Sequence, residues 1–96
     1  MYYVYFLTSN RRRNYVYVGF TNNVERRYAE HNANSSTLST APYRPLILAG
    51  YVAVTREDVA IELEQYFKKG SGKAILKKRI LRDSQKNGLT KPVNVV

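Results

Sequence analysis

The sequence predicts a small α+β domain, a three-stranded antiparallel-rich sheet flanked by three helices in the order β-β-α-β-α-α. Three observations carry this expectation. Two aromatic and β-branched runs, YYVYFLT (2–8) and YVYVGF (15–20), stand on either side of the polar stretch SNRRRN. An apolar run, LILAGYVAV (46–54), follows well downstream. Capping signals that lead into helical apolar spacing open near Asn22 and again at Thr55.

Each element has its own reason. The loop at 9–14 is short, so the first two strands are expected to pair as an antiparallel hairpin. Asn22 can cap a helix, with Glu25 three residues on in a capping-box arrangement, and Val24, Tyr28 and Ala29 give it a partial apolar stripe. That helix should fade at Asn32–Asn34 into the polar, proline-containing loop 33–45. The run 46–54 is apolar enough for a buried third strand. Thr55 and Asp58 repeat the capping signal, and Val59, Leu63 and Phe67 then recur at helical spacing beside Ala60. Gly70 is placed to end this helix at C′. A last helix, about 73–83, should turn Ile75 or Leu76 inward with Ile80 and leave its lysines outside. At 96 residues the chain reads as one domain, with a core of about 2–82 and a tail, 84–96, that is frayed or ends in a short strand.

Composition narrows the function. With no cysteine, disulfides and thiolate metal sites are excluded, and one histidine cannot form a multi-histidine site. No run approaches a membrane span, and MYYVYFLTSN lacks the basic region that opens a signal peptide. The expectation is an intracellular, cytoplasmic protein without a membrane partner, nucleoid-associated, or nuclear if eukaryotic. The net charge is +9 and is unevenly spread. Residues 1–67 hold seven basic and six acidic side chains, a net of +1; residues 68–91 hold nine and one, a net of +8. A basic excess so concentrated points to a polyanion, because Lys and Arg that neutralise phosphates release counterions.

GSGK at 70–73 is not a phosphate-binding loop of the Walker type. That pattern needs glycine where Phe67 stands and Ser or Thr where Ala74 stands. Acyl transfer has little support, since the serines cluster in a loop with no histidine nearby in sequence. What remains is a constellation. Strand alternation puts Tyr3, Tyr5 and Leu7 on one face of the first strand, and Tyr15, Tyr17 and Gly19 on one face of the second. Tyr5 and Tyr17 can then stand side by side. Arg27 and His31, four residues apart, share a helix face. Singly, each tyrosine is an ordinary strand residue; as a set they are not.

The pair YVY (3–5) and YVG (17–19), followed by ERR (25–27) and His31, resembles the GIY-YIG nuclease domain. HN at 31–32, STAPYRP at 39–45 and ELEQYFKKGSGKAILKKR at 62–79 extend the resemblance to its small single-domain members, over roughly residues 2–82. It implies a metal-dependent endonuclease acting on DNA, with one Mg2+ or Mn2+ ion. Tyr5 and Tyr17 match the tyrosines of the two motifs. Arg27 follows Gly19 by eight residues, where the family keeps its catalytic arginine. His31 falls where relatives carry His or Tyr. Glu64, favoured over Glu62 because QYFKKGSGK aligns with the segment after the family's glutamate, would hold the metal. The chain departs at Tyr3, where the family name has glycine, and at Phe20, where some relatives carry a lysine.

One carboxylate suffices for magnesium, which keeps several waters and uses substrate phosphate as ligand. Arg27 would hold non-bridging oxygens through its planar fork. Tyr17 is the candidate general base and His31 its rival, and the sequence leaves the choice open. Arg11, Arg12, Arg13, Arg26, Arg44, Lys68, Lys69, Lys73, Lys77 and Lys78 are the candidate contacts to the nucleic-acid backbone. Two alternatives stay open: a non-catalytic nucleic-acid-binding module and a nuclease subunit that acts only with a partner protein. A homodimer is likewise open.

Overall fold

The computed structural model describes residues 1–81. Its three strands are β1 (Tyr2–Ser9), β2 (Val16–Thr21) and β3 (Leu46–Val54), and its helices are α1 (Val24–Asn32), α2 (Glu57–Lys68) and α3 (Gly70–Ile75). A 3-10 turn at Ala41–Tyr43 precedes β3, and α3 continues into a π-helical turn at Leu76–Ile80. The sheet is antiparallel, in the order β2-β1-β3. The α+β class and the element order expected from the sequence are both present. The expected helix at 73–83 starts earlier, at Gly70, and the tail lies outside the described residues.

The central strand carries the logic of the fold. Its side chains alternate between two apolar layers, as strand geometry requires. Val4 and Phe6 point to one side and pack with Val18, Ala49, Ala60, Phe67, Leu76 and Leu81, beneath α2 and the π-helical turn. Tyr5 and Leu7 point to the other, with Leu46 and a ring of partly buried tyrosines. A bulge opposite Phe6 and Leu7 gives β3 one extra residue, so Ala49 joins the first layer while Leu46 and Leu48 stay in the second.

α1 covers the second layer, and its only fully buried residue is His31. Asn32 fixes it to the sheet: its Oδ1 accepts from the Leu46 N–H and its Nδ2 donates to the Leu46 carbonyl, both at 2.8 Å. The Tyr28 hydroxyl donates to the same carbonyl at 2.9 Å. The cap of α1 is Asn23 rather than Asn22. Asn23 Oδ1 accepts from the Arg26 N–H at 3.0 Å, and Thr21 Oγ1 takes the Asn23 N–H, so the entry turn is shifted by one residue. No capping box forms. At α2 the cap position is Arg56, without a side-chain cap, rather than Thr55.

Gly70 sits at C′ of α2 with φ +63, the left-handed conformation that lets the chain turn directly into α3. Leu76 is buried and Ile75 exposed, which settles the inward residue of that segment. The turn is tight. A Cβ on Gly72 would lie 1.9 Å from the backbone oxygen of Tyr66. Backbone cannot yield as a side-chain tip can, so Gly72→Ala is expected to cost about 1–3 kcal/mol. Urea denaturation would show it as a lower midpoint with unchanged slope.

Candidate active site

The site is built where β1, β2 and α1 meet. Tyr5 stands directly opposite Gly19 in the hairpin register, and Leu7 opposite Tyr17. Because Gly19 has no Cβ, the Tyr5 ring lies over its Cα: an added methyl would fall 2.4 Å from Cζ and from the hydroxyl oxygen. The phenol is thereby aimed at α1. Its oxygen is 2.9 Å from His31 Nε2, and both residues are about 1% exposed. His31 Nδ1 lies 2.6 Å from Oγ1 of Thr40, which is fully buried just before the 3-10 turn. The Tyr17 ring packs against both, its centroid 6.2 Å from Tyr5 and 5.0 Å from His31. Tyr17 remains half-exposed at the outer strand.

Arg27 is the cation of this group. Its Nη1 donates to Glu30 Oε1 at 2.8 Å, and Glu30 also pairs with Arg26 at 3.6 Å. These are partly exposed i,i+3 and i,i+4 pairs of small energetic weight, so a phosphate can replace Glu30 as partner. Arg27 also bears on the Tyr5 hydroxyl. Burial pushes the Tyr5 phenol up to about 12, against the lowering effect of Arg27, so Tyr5 is a neutral phenol. Burial, then the Arg27 charge, holds the His31 imidazole below its ordinary value, with Glu30 opposing.

His31 is favoured neutral in the fold, whereas the unfolded chain protonates it near pH ~6.5. Its contribution is complete above that pH and is lost as pH falls through the lower folded value. The midpoint of urea unfolding should therefore drop between pH 7 and 5. A His31→Gln variant should show a flatter profile over that range.

Glu64 comes from the opposite side of the sheet. On helical geometry, residues 57, 64 and 68 lie within about 40° of one another. Glu57 lines a cleft of about 300 Å³ with Phe20, Arg26 and Arg27 at one end of β2. Lys68 lines a second, of about 200 Å³, with Tyr17, Phe67 and Lys73 at the other. Glu64 lies between Glu57 and Lys68 on the same helix face. Its side chain is 17% exposed, and its partner is Lys68 Nζ at 3.3 Å. Glu62, on another face, is exposed. Tyr5, Tyr17, Arg27 and His31 thus form one cluster, while Glu64 stands on α2, on the first-layer side of the sheet.

The basic residues divide. Lys68 and Lys73 flank Tyr17, and Lys77 Nζ donates to the Asn14 carbonyl at 3.4 Å, joining the basic helical segment to the loop of Arg11, Arg12 and Arg13. Ser9 shapes that loop, accepting from the Arg11 and Arg12 N–H groups while donating to the Tyr43 carbonyl. Arg12 lies 6.0 Å over the Tyr43 ring, which stacks on Tyr15. Arg26 stands beside Arg27; Lys69 and Lys78 are exposed. Arg44 is engaged within the fold, donating to the Ala33 carbonyl at the end of α1. Sequence reasoning singled out neither Thr40 nor Glu57. Thr40 meets His31 on α1 and Glu57 shares a cleft with β2 and α1, and no spacing rule reveals either.

A hairpin that delivers two tyrosines to an arginine and a histidine on the next helix, with a glutamate helix beyond the strand edge, defines the GIY-YIG catalytic domain. The profile of that domain matches residues 1–79, and the chain belongs to the GIY-YIG family, whose fold is of the nuclease type. A UPF0213 protein of Bacillus licheniformis is 31% identical over 85 residues, covering 88% of this chain and 86% of that protein. No significant match is found among solved structures. No helix among the described residues is long and apolar enough to cross a membrane.

Proposed function

We propose that the protein is a metal-dependent endonuclease that hydrolyses phosphodiester bonds in DNA. The observation that supports this reading is the cluster of Tyr5, Tyr17 and His31 where β1, β2 and α1 meet, with Arg27 on the same helix as His31, in a chain that matches the GIY-YIG catalytic domain. Hydrolysis needs a proton acceptor for the attacking water, a counter-charge for the phosphate and help for the leaving oxygen.

Tyr17 is the half-buried phenol of the pair; as the phenolate it takes the proton of the attacking water and passes it on to the departing ester oxygen. His31 is fully buried and occupied at both ring nitrogens, which favours Tyr17 over His31 as base. Arg27 exchanges Glu30 for two non-bridging phosphate oxygens and balances the charge that grows on them. Tyr5 stays protonated and orients its neighbours. Water oxygen bonds to phosphorus, one ester P–O bond breaks, and the products are a phosphate monoester and an alcohol.

Among the described residues no three His, Asp or Glu side chains gather to form a metal cage. One half-buried carboxylate with a single ammonium opposite it suits a mostly hydrated Mg2+ or Mn2+, which draws its remaining ligands from water and substrate phosphate. Bound at Glu64, such an ion supplies Lewis acidity to the phosphate and the departing oxygen. Lys68, Lys73 and the 11–13 loop lead the backbone of the nucleic acid towards Tyr17 through phosphate contacts.

The test is cleavage of labelled single-stranded, duplex and branched DNA with and without Mg2+, for wild type and Arg27→Lys. Lysine keeps the charge but loses the fork, so cleavage should fall by about 10²-fold or more while binding is retained. Binding to every substrate with no cleavage of any would replace this reading with that of a binding module.

A further inference from the structure

The four buried or half-buried polar groups of the site form a line: Thr40 Oγ1, 2.6 Å, His31 Nδ1; His31 Nε2, 2.9 Å, Tyr5 hydroxyl; and then Tyr17 beside Tyr5. We propose that Thr40 is a positioning residue for this site. Its hydroxyl donates to His31 Nδ1 and holds the ring in the Nε2–H tautomer. His31 then donates to the Tyr5 oxygen, and the Tyr5 proton is directed to the oxygen of Tyr17. The inference rests on the nuclease reading for its effect on cleavage, but the direction of the chain can be measured without DNA.

Counting protons fixes the direction. A neutral imidazole offers one donor and one acceptor, so the two bonds of His31 must run in the same sense. Thr40 is fully buried, and among the described residues its hydroxyl has no other side-chain partner. A buried hydroxyl proton without an acceptor is costly. His31 Nδ1 is the acceptor within reach, so Thr40 donates and Nε2 must carry the ring proton. Arg27, which also bears on the Tyr5 oxygen, is a donor only. Tyr5 therefore receives a donor from His31 and has its own proton left to give. Tyr17 is the neighbour that can take it. The opposite sense would leave the Thr40 proton stranded in the core.

The consequence is orientation. One lone pair of the Tyr17 oxygen is engaged by Tyr5, so the other is presented to the open edge of β2, where a water would be met. Thr40 touches no reacting atom; it acts through His31.

The experiment uses the chain's single histidine. With 15N-labelled histidine, the full chain gives one imidazole signal pair at pH 8, and its two-bond couplings report which nitrogen is protonated. The expected spectrum has Nε2 protonated and Nδ1 bare. Thr40→Val keeps the shape and removes the donor, so the preference for this tautomer should be lost. Thr40→Ser should restore it. Single-turnover cleavage should fall about 10- to 100-fold in Thr40→Val, the usual range for a residue that orients another, and return in Thr40→Ser with KM unchanged. A wild-type spectrum with Nδ1 protonated overturns the assignment even if Thr40→Val does not fold. Wild-type cleavage by a folded Thr40→Val overturns the positioning role. The predicted tautomer in a protein that cleaves no DNA leaves the hydrogen-bond direction standing and removes only the nuclease reading.

Discussion

Glu64→Gln is expected to lower Mg2+-dependent cleavage by roughly 10³-fold while leaving the fold as stable as the wild type. The two halves of this expectation come from the same geometry. Glutamine keeps the shape of the side chain but not its charge, and a hard divalent cation binds an amide oxygen far more weakly than a carboxylate. What the fold loses is one pair with Lys68, at 3.3 Å and with the lysine largely exposed, worth about 0.2–1 kcal/mol at most. Removing a half-buried charge offsets part of that. A residue kept for stability would give the reverse pattern. Glu62→Gln on the exposed face is the control and should cleave at close to the wild-type rate. DNA binding without metal should be unchanged or slightly tighter in Glu64→Gln, since one negative charge leaves a basic surface. Equal losses in the two glutamine variants, or full activity in Glu64→Gln, would place the metal elsewhere.

Much of this site was legible because the residues that build it follow short periodicities. Period two separates Tyr5 and Leu7 from Val4 and Phe6, and the structure keeps those pairs in different layers. The four-residue spacing of Arg27 and His31 puts both on the sheet side of α1. Gly70 is recognisable because few other residues tolerate its φ. The misses have local causes. Thr21, Asn22 and Asn23 are all able to cap a helix, and the choice fell to Asn23 because Thr21 Oγ1 engages the Asn23 N–H. Arg56 holds the cap position of α2 although Thr55 is the better capping residue, and Arg56 instead pairs with Asp58. Thr40 lies in a loop with no periodicity to expose it, and its partner is nine residues away on a helix. Arg44 reads as a surface cation in sequence, yet it is tied to the Ala33 carbonyl. Chain pattern reports which face a residue takes; it does not report which atom in another element waits there.

Gly19→Ala tests whether the hairpin glycine exists to seat the Tyr5 phenol. The added methyl would lie 2.4 Å from Cζ and the hydroxyl oxygen of Tyr5 and 2.7 Å from Cε1, well inside contact distance. Tyr5 cannot easily swing away, because its ring is buried and its oxygen is bonded to His31. Either the ring or the strand must move, at a cost of about 1–3 kcal/mol. For a domain of this size that lowers Tm by roughly 5–20 °C. The same displacement separates Tyr5 from His31 and Tyr17, so cleavage should fall further than the unfolded fraction explains. Gly70→Ala is the matched comparison. Its left-handed φ strains an alanine by about 1 kcal/mol, but nothing lies within 4 Å of the new methyl. At a temperature where both variants are fully folded, Gly70→Ala should cleave as the wild type does and Gly19→Ala should not. Stability lost in both with activity lost in neither would mean that the Tyr5 phenol takes no part in the chemistry, and the glycine of the second motif would then serve packing alone.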